Sequence, residues 1–226
     1  NTLETMSSYP WRGGIFYLGN YISALNLPWH YAIVWIIIST PILYLFLFFL
    51  GSYLIIIRFL KRFINLSEKK SFNDIYRGNK ERMDIIFFSI FFFSIILVIE
   101  LSSTLYNGWR QLYYIYPSLI FISIRGLALI SRKISTKYLV LLLTPFLLFL
   151  IFWMTKNHPF QFVYFNKIAG NKVAKYFELD YWGTSNTNVL KYILKNDNRS
   201  KINVYVLSNS PYHFGLLLID KKKRDR

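Results

Sequence analysis

Four stretches of this chain, residues 31–59, 84–101, 112–130 and 138–154, are apolar for about as long as a bilayer is thick. Crossing the hydrocarbon layer as a helix takes about 20 residues, or slightly fewer. Backbone groups cannot go unpaired there, so spans of this kind are helices. A run such as Ile85-Ile86-Phe87-Phe88-Ser89-Ile90-Phe91-Phe92-Phe93 lacks the polar face that a helix of a soluble bundle presents to water. The sequence therefore predicts a mainly α, polytopic membrane protein with four transmembrane helices. Pro41 interrupts the first, longest stretch, which is predicted to kink or tilt.

The distribution of lysine and arginine orients these spans. The first connection carries Lys61, Arg62, Lys69, Lys70, Arg77, Lys80 and Arg82, and the third carries Arg132, Lys133 and Lys137, with Arg125 able to snorkel toward it. The second connection holds only Arg110. The first and third loops are thus expected in the cytoplasm of a multi-pass inner or plasma membrane protein. Residues 1–30, the Arg110 turn and residues 155–226 are expected outside. The formal net charge of +16 then belongs with a membrane surface rather than with nucleic acid, because the positive residues flank apolar runs.

Two regions lie outside the spans. Residues 15–27 mix aromatic and small polar side chains and are predicted to form a helix lying at the outer interface, turned into the first span by Pro28. Beyond Met154, residues 187–195 read as a helix, and the alternation over 202–207 reads as a strand. Asn209-Ser210-Pro211 reads as a turn. Together these resemble the start of a small extracytoplasmic α/β domain. The chain opens on Asn1 without a secretory signal pattern, and we expect it to be the later part of a longer protein. The absence of cysteine excludes disulfides and thiolate metal sites, three scattered histidines argue against zinc, and no cofactor is expected.

Arg110 is the leading functional candidate. It sits in the turn Tyr106-Asn107-Gly108-Trp109-Arg110-Gln111, within a belt of aromatic residues. A guanidinium at that depth can pair bidentately with a lipid phosphate, or it can serve as an interfacial anchor with Trp109 and Tyr113 beside it. The segment Phe177-Glu178-Leu179-Asp180-Tyr181-Trp182-Gly183 pairs carboxylates with aromatic faces, a mixture suited to sugars. Equally, Asp180 can cap the following helix while Trp182 packs the outer region onto the membrane helices. The stretch starting His158-Pro159-Phe160-Gln161 can line a groove for a lipid-linked ligand or form part of an aromatic belt.

These segments resemble bacterial GT-C membrane glycosyltransferases, specifically the dolichyl-phosphate-mannose protein mannosyltransferases and the lipid-A aminoarabinose transferases. The resemblance is carried by Trp11-Arg12-Gly13-Gly14 through Tyr17-Leu18-Gly19, Leu27-Pro28-Trp29-His30-Tyr31 and Thr40-Pro41, while Asn107-Gly108-Trp109-Arg110-Gln111 and the segments beginning at His158 and Phe177 are similar to a pattern in uncharacterised members. It implies an enzyme that moves a sugar from a polyprenyl-phosphate donor to a protein, lipid or glycan acceptor outside the cell membrane. It also implies that the catalytic carboxylate lies in the first outer loop, upstream of Asn1, so no catalytic base is assigned in this chain. Arg110 would face the lipid phosphate, with Trp109, His158, Asp180 and Trp182 as possible substrate contacts. A transporter or channel is the competing class, and it would place ionisable residues inside the spans. A non-catalytic membrane subunit would share the hydropathy without a phosphate site.

Overall fold

In a computed structural model of the chain, residues 13–64, 76, 78–205 and 212–224 are described. The protein is mainly helical, and four of its helices are long and apolar enough to cross a membrane. After a hairpin of β1 (Gly14–Tyr17) and β2 (Asn20–Ser23) come α1 (Tyr31–Ser39), α2 (Ile42–Ile64) and α3 (Gly78–Glu100). A 3₁₀ turn (Arg110–Ile115) then runs straight into α4 (Tyr116–Ile130), and α5 (Thr136–Lys156) follows. Past α5 lie three short 3₁₀ turns, α6 (Asn186–Asn196), α7 (Tyr212–Leu217) and α8 (Lys221–Arg224).

The expected first span is two helices. Pro41 has no N–H to give to Ile37 O, so the ladder stops at α1 and restarts as α2. Asn166, buried and distant in sequence, fills the gap. Its Nδ2 donates to Ile37 O and Thr40 O, both at 2.6 Å, and its backbone N–H donates to Ile38 O at 2.8 Å. One asparagine thus satisfies carbonyls that the proline leaves open, and ties the segment after α5 to the break.

Helices α2 and α4 make the most extensive contact in the molecule. They touch backbone to backbone where Gly51 meets Gly126. A Cβ at Gly51 would lie 2.0 Å from Ile122 O, and one at Gly126 would lie 2.1 Å from Leu47 O. Ser123 Oγ adds a hydrogen bond to Tyr44 O across the same seam, at 3.1 Å. Small residues that let helices approach this closely are the usual adhesive between membrane-spanning helices. Near the other end of these helices, α3 is pinned by charge. Asp84, 2% exposed, takes Arg58 Nη1 of α2 at 2.7 Å and Arg125 Nε of α4 at 2.7 Å. Arg62 pairs with Glu81 at 3.0 Å beside it. Arg125 is therefore neutralised within the bundle and does not snorkel outward.

Two expectations are corrected. Residues 15–27 form the hairpin rather than an interfacial helix: Leu18 (φ 50°) and Gly19 (φ 83°) make a two-residue turn of left-handed residues, which matches the twist of paired strands. Residues 202–205 carry no strand, and 206 and 207 lie outside the described residues, as does the Asn209-Ser210-Pro211 turn. The region after α5 is consequently helical and irregular among its described residues. The helix expected over 187–195 is present as α6. Helix α5 is the most exposed of the long helices, with Leu139 its one buried side chain.

Two substitutions test these seams. Gly126→Val should lower the thermal unfolding midpoint of the detergent-purified protein well beyond the effect of Leu148→Ala on the exposed side of α5. Overpacking costs about 1–3 kcal/mol even where side chains can yield, and here the obstacle is backbone. Asp84→Asn should cost up to about 3 kcal/mol, since the half-buried Arg125 would lose its carboxylate partner and Arg58 would keep only the longer contact to Glu81 at 4.0 Å; chemical unfolding would read this.

Candidate functional site

The site gathers at the end of the bundle opposite Asp84, and it starts with a turn. Asn107 (φ 45°) and Gly108 (φ 79°) are both left-handed, the pairing that Asn-Gly favours. Gly108 N–H donates to Tyr31 Oη at 3.1 Å, fixing the turn to the first residue of α1. Trp109, 5% exposed, donates from Nε1 to Ser39 Oγ at 2.9 Å, and Ser39 Oγ donates to Trp35 O at 2.6 Å. The indole N–H is thereby committed to the fold, while the ring meets Tyr113 and Tyr116.

Arg110 follows with its guanidinium carbon 4.6 Å from the Trp182 ring centre, 5.2 Å from Tyr106 and 5.4 Å from Tyr181. Among the described residues it makes no ion pair with a carboxylate. Ring contacts of this kind are worth about 0.5–1 kcal/mol at exposed sites, and they position a cation without using up its N–H donors. Trp182 remains 56% exposed, so much of its surface is open to a ligand.

Tyr181 and Trp182 reach Arg110 because the segment before them adds to the hairpin. Gly19 N–H donates to Tyr176 O at 3.1 Å, Tyr17 bridges to Phe177, and Glu178 N–H donates to Phe16 O at 3.2 Å. Phe177 locks the join by packing on Tyr17, Trp35 and Phe165. Burial pushes the Tyr17 hydroxyl up to about 12, and its oxygen lies 2.7 Å from His30 Nδ1. Glu178 then faces the Arg110 turn, where Asn107 Nδ2 donates to its Oε2 at 3.0 Å across 71 residues of sequence. Burial raises the Glu178 carboxyl above the usual carboxylate range, and the nearby Arg110 charge offsets part of that rise.

Asp180 has a different duty. Its carboxylate accepts Thr184 N–H at 3.0 Å, Ser185 N–H at 2.6 Å and the Ser185 hydroxyl, closing the turn into α6. Both oxygens are engaged. His158 stands apart from Arg110 at an exposed turn, with Nδ1 2.8 Å from Gln161 Nε2. Gln161 borders an open groove of about 620 Å³ that runs beside the site. The helix break lines it with Thr40 and Pro41, the Arg110 turn and α4 with Trp109, Tyr113 and Tyr116, and the segment after α5 with Phe162 and Tyr164. Phe162 also contacts Tyr181, which joins the groove wall to the aromatic rings around Arg110. Among the described residues, no three His, Asp or Glu side chains converge to hold a metal ion.

Of the residues singled out from the sequence, the structure brings Arg110 and Trp182 together, while Trp109 packs on Tyr113 and Tyr116 in the groove wall. Sequence reasoning did not find the part played by Asn107, Tyr106, Tyr31 or the hairpin. Asn107-Gly108 was the available signal for a left-handed turn, but its partner Glu178 can be found only in three dimensions. No family model, curated protein or solved structure matches the chain.

The raised Glu178 carboxyl gives a signed pH dependence. A carboxyl that holds its proton more tightly in the folded state contributes stability below the ordinary carboxylate range, and that contribution disappears as pH rises through the elevated value. Wild-type protein should therefore lose stability relative to Glu178→Gln between about pH 4 and neutrality, as read from unfolding midpoints of both proteins across that range. Parallel curves would contradict the assignment.

Proposed function

We propose that this chain belongs to a multi-pass membrane glycosyltransferase that takes a sugar from a polyprenyl-phosphate donor and passes it to an acceptor on the extracytoplasmic side. The acceptor would be a protein, a lipid or a glycan, and membrane lipids would surround the four long helices. The reading is carried by Arg110, a cation without a carboxylate partner among the described residues, cushioned by three aromatic rings beside an aromatic groove. The lysine and arginine distribution supports an outward-facing Arg110 end, since the basic short connections gather at the other end. The similarity of the Asn107 to Gln111 turn and of the His158 and Phe177 segments to GT-C enzymes points the same way.

In this reading the acceptor oxygen attacks the anomeric carbon as the bond to the phosphate oxygen breaks, inverting that centre. Negative charge grows on the departing phosphate. Arg110, already held in place, would stabilise that charge with N–H donors that need no reorganisation. A lysine could supply the charge but not the forked geometry. The acceptor's hydroxyl proton would pass to a general base, a role assigned to no residue of this chain. Trp182 would offer its open ring surface to the sugar, and the groove beside Trp109 and Tyr113 would hold the first isoprene units.

Purified full-length protein should release polyprenyl phosphate from a labelled lipid-linked sugar. Arg110→Ala should reduce turnover by about 10²–10³-fold, the usual effect of removing one oxyanion-stabilising donor. Arg110→Lys should recover only part, with normal insertion and unfolding midpoint in both. Near-normal turnover of Arg110→Ala at saturating donor would overturn the assignment and leave Arg110 as a staple between the 106–110 turn and Trp182.

A further inference from the structure

Glu178 and Arg110 share one half-buried site yet do not pair. The Arg110 charge acts on the Glu178 carboxyl, but no ion pair forms between them among the described residues. Opposite charges brought this close normally collapse into contact unless other forces hold them apart. Here both are held. Ring faces of Tyr106, Tyr181 and Trp182 fix Arg110, while Asn107 Nδ2 and the backbone bond to Phe16 O fix Glu178. Asn107 engages only Oε2, so Oε1 has no hydrogen-bond partner among the described residues. Glu178 Oε1 is open to solvent, whereas Asn107 Oδ1 and both amide atoms of Gln111 are buried in the turn without a hydrogen-bond partner among the described residues. A carboxylate held with one oxygen free, near a cation and the exposed Trp182 ring, marks a place where a polar ligand completes the bonding.

We propose that Glu178 is a specificity-determining residue that accepts a hydrogen bond from a hydroxyl of the sugar ring while Arg110 holds the phosphate attached to that sugar. This rests on the polyprenyl-phosphate reading and names what distinguishes the sugar-bearing lipid from the bare phosphate. The chemistry fits the spacing of roles. A carboxylate oxygen accepts from a hydroxyl but repels phosphate, so the two charges sort the two ends of a glycosyl phosphate. The exposed surface of Trp182, lying against Arg110, offers a place for the apolar face of the ring between them. Asp180 cannot take this part, because the turn into α6 occupies both its oxygens.

The test compares two probes on the full-length protein in lipid nanodiscs: a short-chain polyprenyl phosphate, and the same lipid phosphate bearing a hexose. Wild type should bind the hexose-bearing lipid about tenfold or more tightly than the bare one, in keeping with a hydrogen bond to a charged acceptor. Glu178→Gln should bind the bare phosphate at least as tightly as wild type does, since a repelling charge is removed, and lose the preference for the sugar. Arg110→Ala should weaken both. If Glu178→Gln keeps the preference, or weakens both probes equally, Glu178 does not read the sugar. If wild type binds both lipids without preference, this inference fails while the phosphate reading stands, and binding of neither removes both. Should Glu178→Gln lose the fold, deoxy-hexose lipids on wild-type protein decide the matter. Loss of the preference on removing one ring hydroxyl supports the proposal, and its survival with every hydroxyl removed in turn overturns it.

Discussion

The contact between Gly51 and Gly126 sets the geometry on which the rest depends. Without side chains at that crossing, the backbones of α2 and α4 come within van der Waals reach, with Ser123 bonded to Tyr44 O nearby. Only small residues permit this, and the dispersion gained over the whole seam is what holds two helices together where neighbouring lipid would be as apolar as they are. The Arg110 turn feeds directly into α4 and the break at Pro41 directly into α2. Their relative placement is therefore inherited from this crossing. A bulkier residue there would move the groove and the turn together.

Two polar devices then fix what the crossing leaves loose. At one end, Asp84 gathers Arg58 and Arg125 and so ties three helices through one buried carboxylate. At the other, Asn166 takes up carbonyls left open at the Pro41 break and thereby anchors the stretch around residue 166. Both act in surroundings where an unpaired polar atom is costly, and for that reason they specify position more sharply than apolar packing does. The aromatic residues of 160–165 and the Phe177 to Trp182 stretch reach the Arg110 turn because that anchor holds their approach.

How much of this was readable in the sequence depends on the range of the interaction. The four long helices were legible from apolar runs alone, and Pro41 marked the place where the first stretch divides, because those signals are local. Residues 15–27 misled, since aromatic and polar residues interleave in a short hairpin much as they do along an interfacial helix. Leu18-Gly19 was the sign that separated the two, and leucine in a left-handed position is not an obvious turn residue. Arg125 and Asp84 looked like ordinary ends of spans, and their pairing needs the helix crossing to exist first. Within the site, Arg110 and Trp182 could be singled out by type and setting. The bond from Asn107 to Glu178 and the commitment of Asp180 to its own turn could not, because each depends on which segment folds back against which.

Holding Arg110 by ring faces instead of by a carboxylate also decides how an anion would arrive. A cation locked in a salt bridge must first release its resident counter-ion, so binding there is an exchange with little net gain in charge pairing. Among the described residues Arg110 has no carboxylate partner to give up, while Glu178 is held by Asn107. In the proposed reading, an incoming phosphate would displace no resident carboxylate from Arg110.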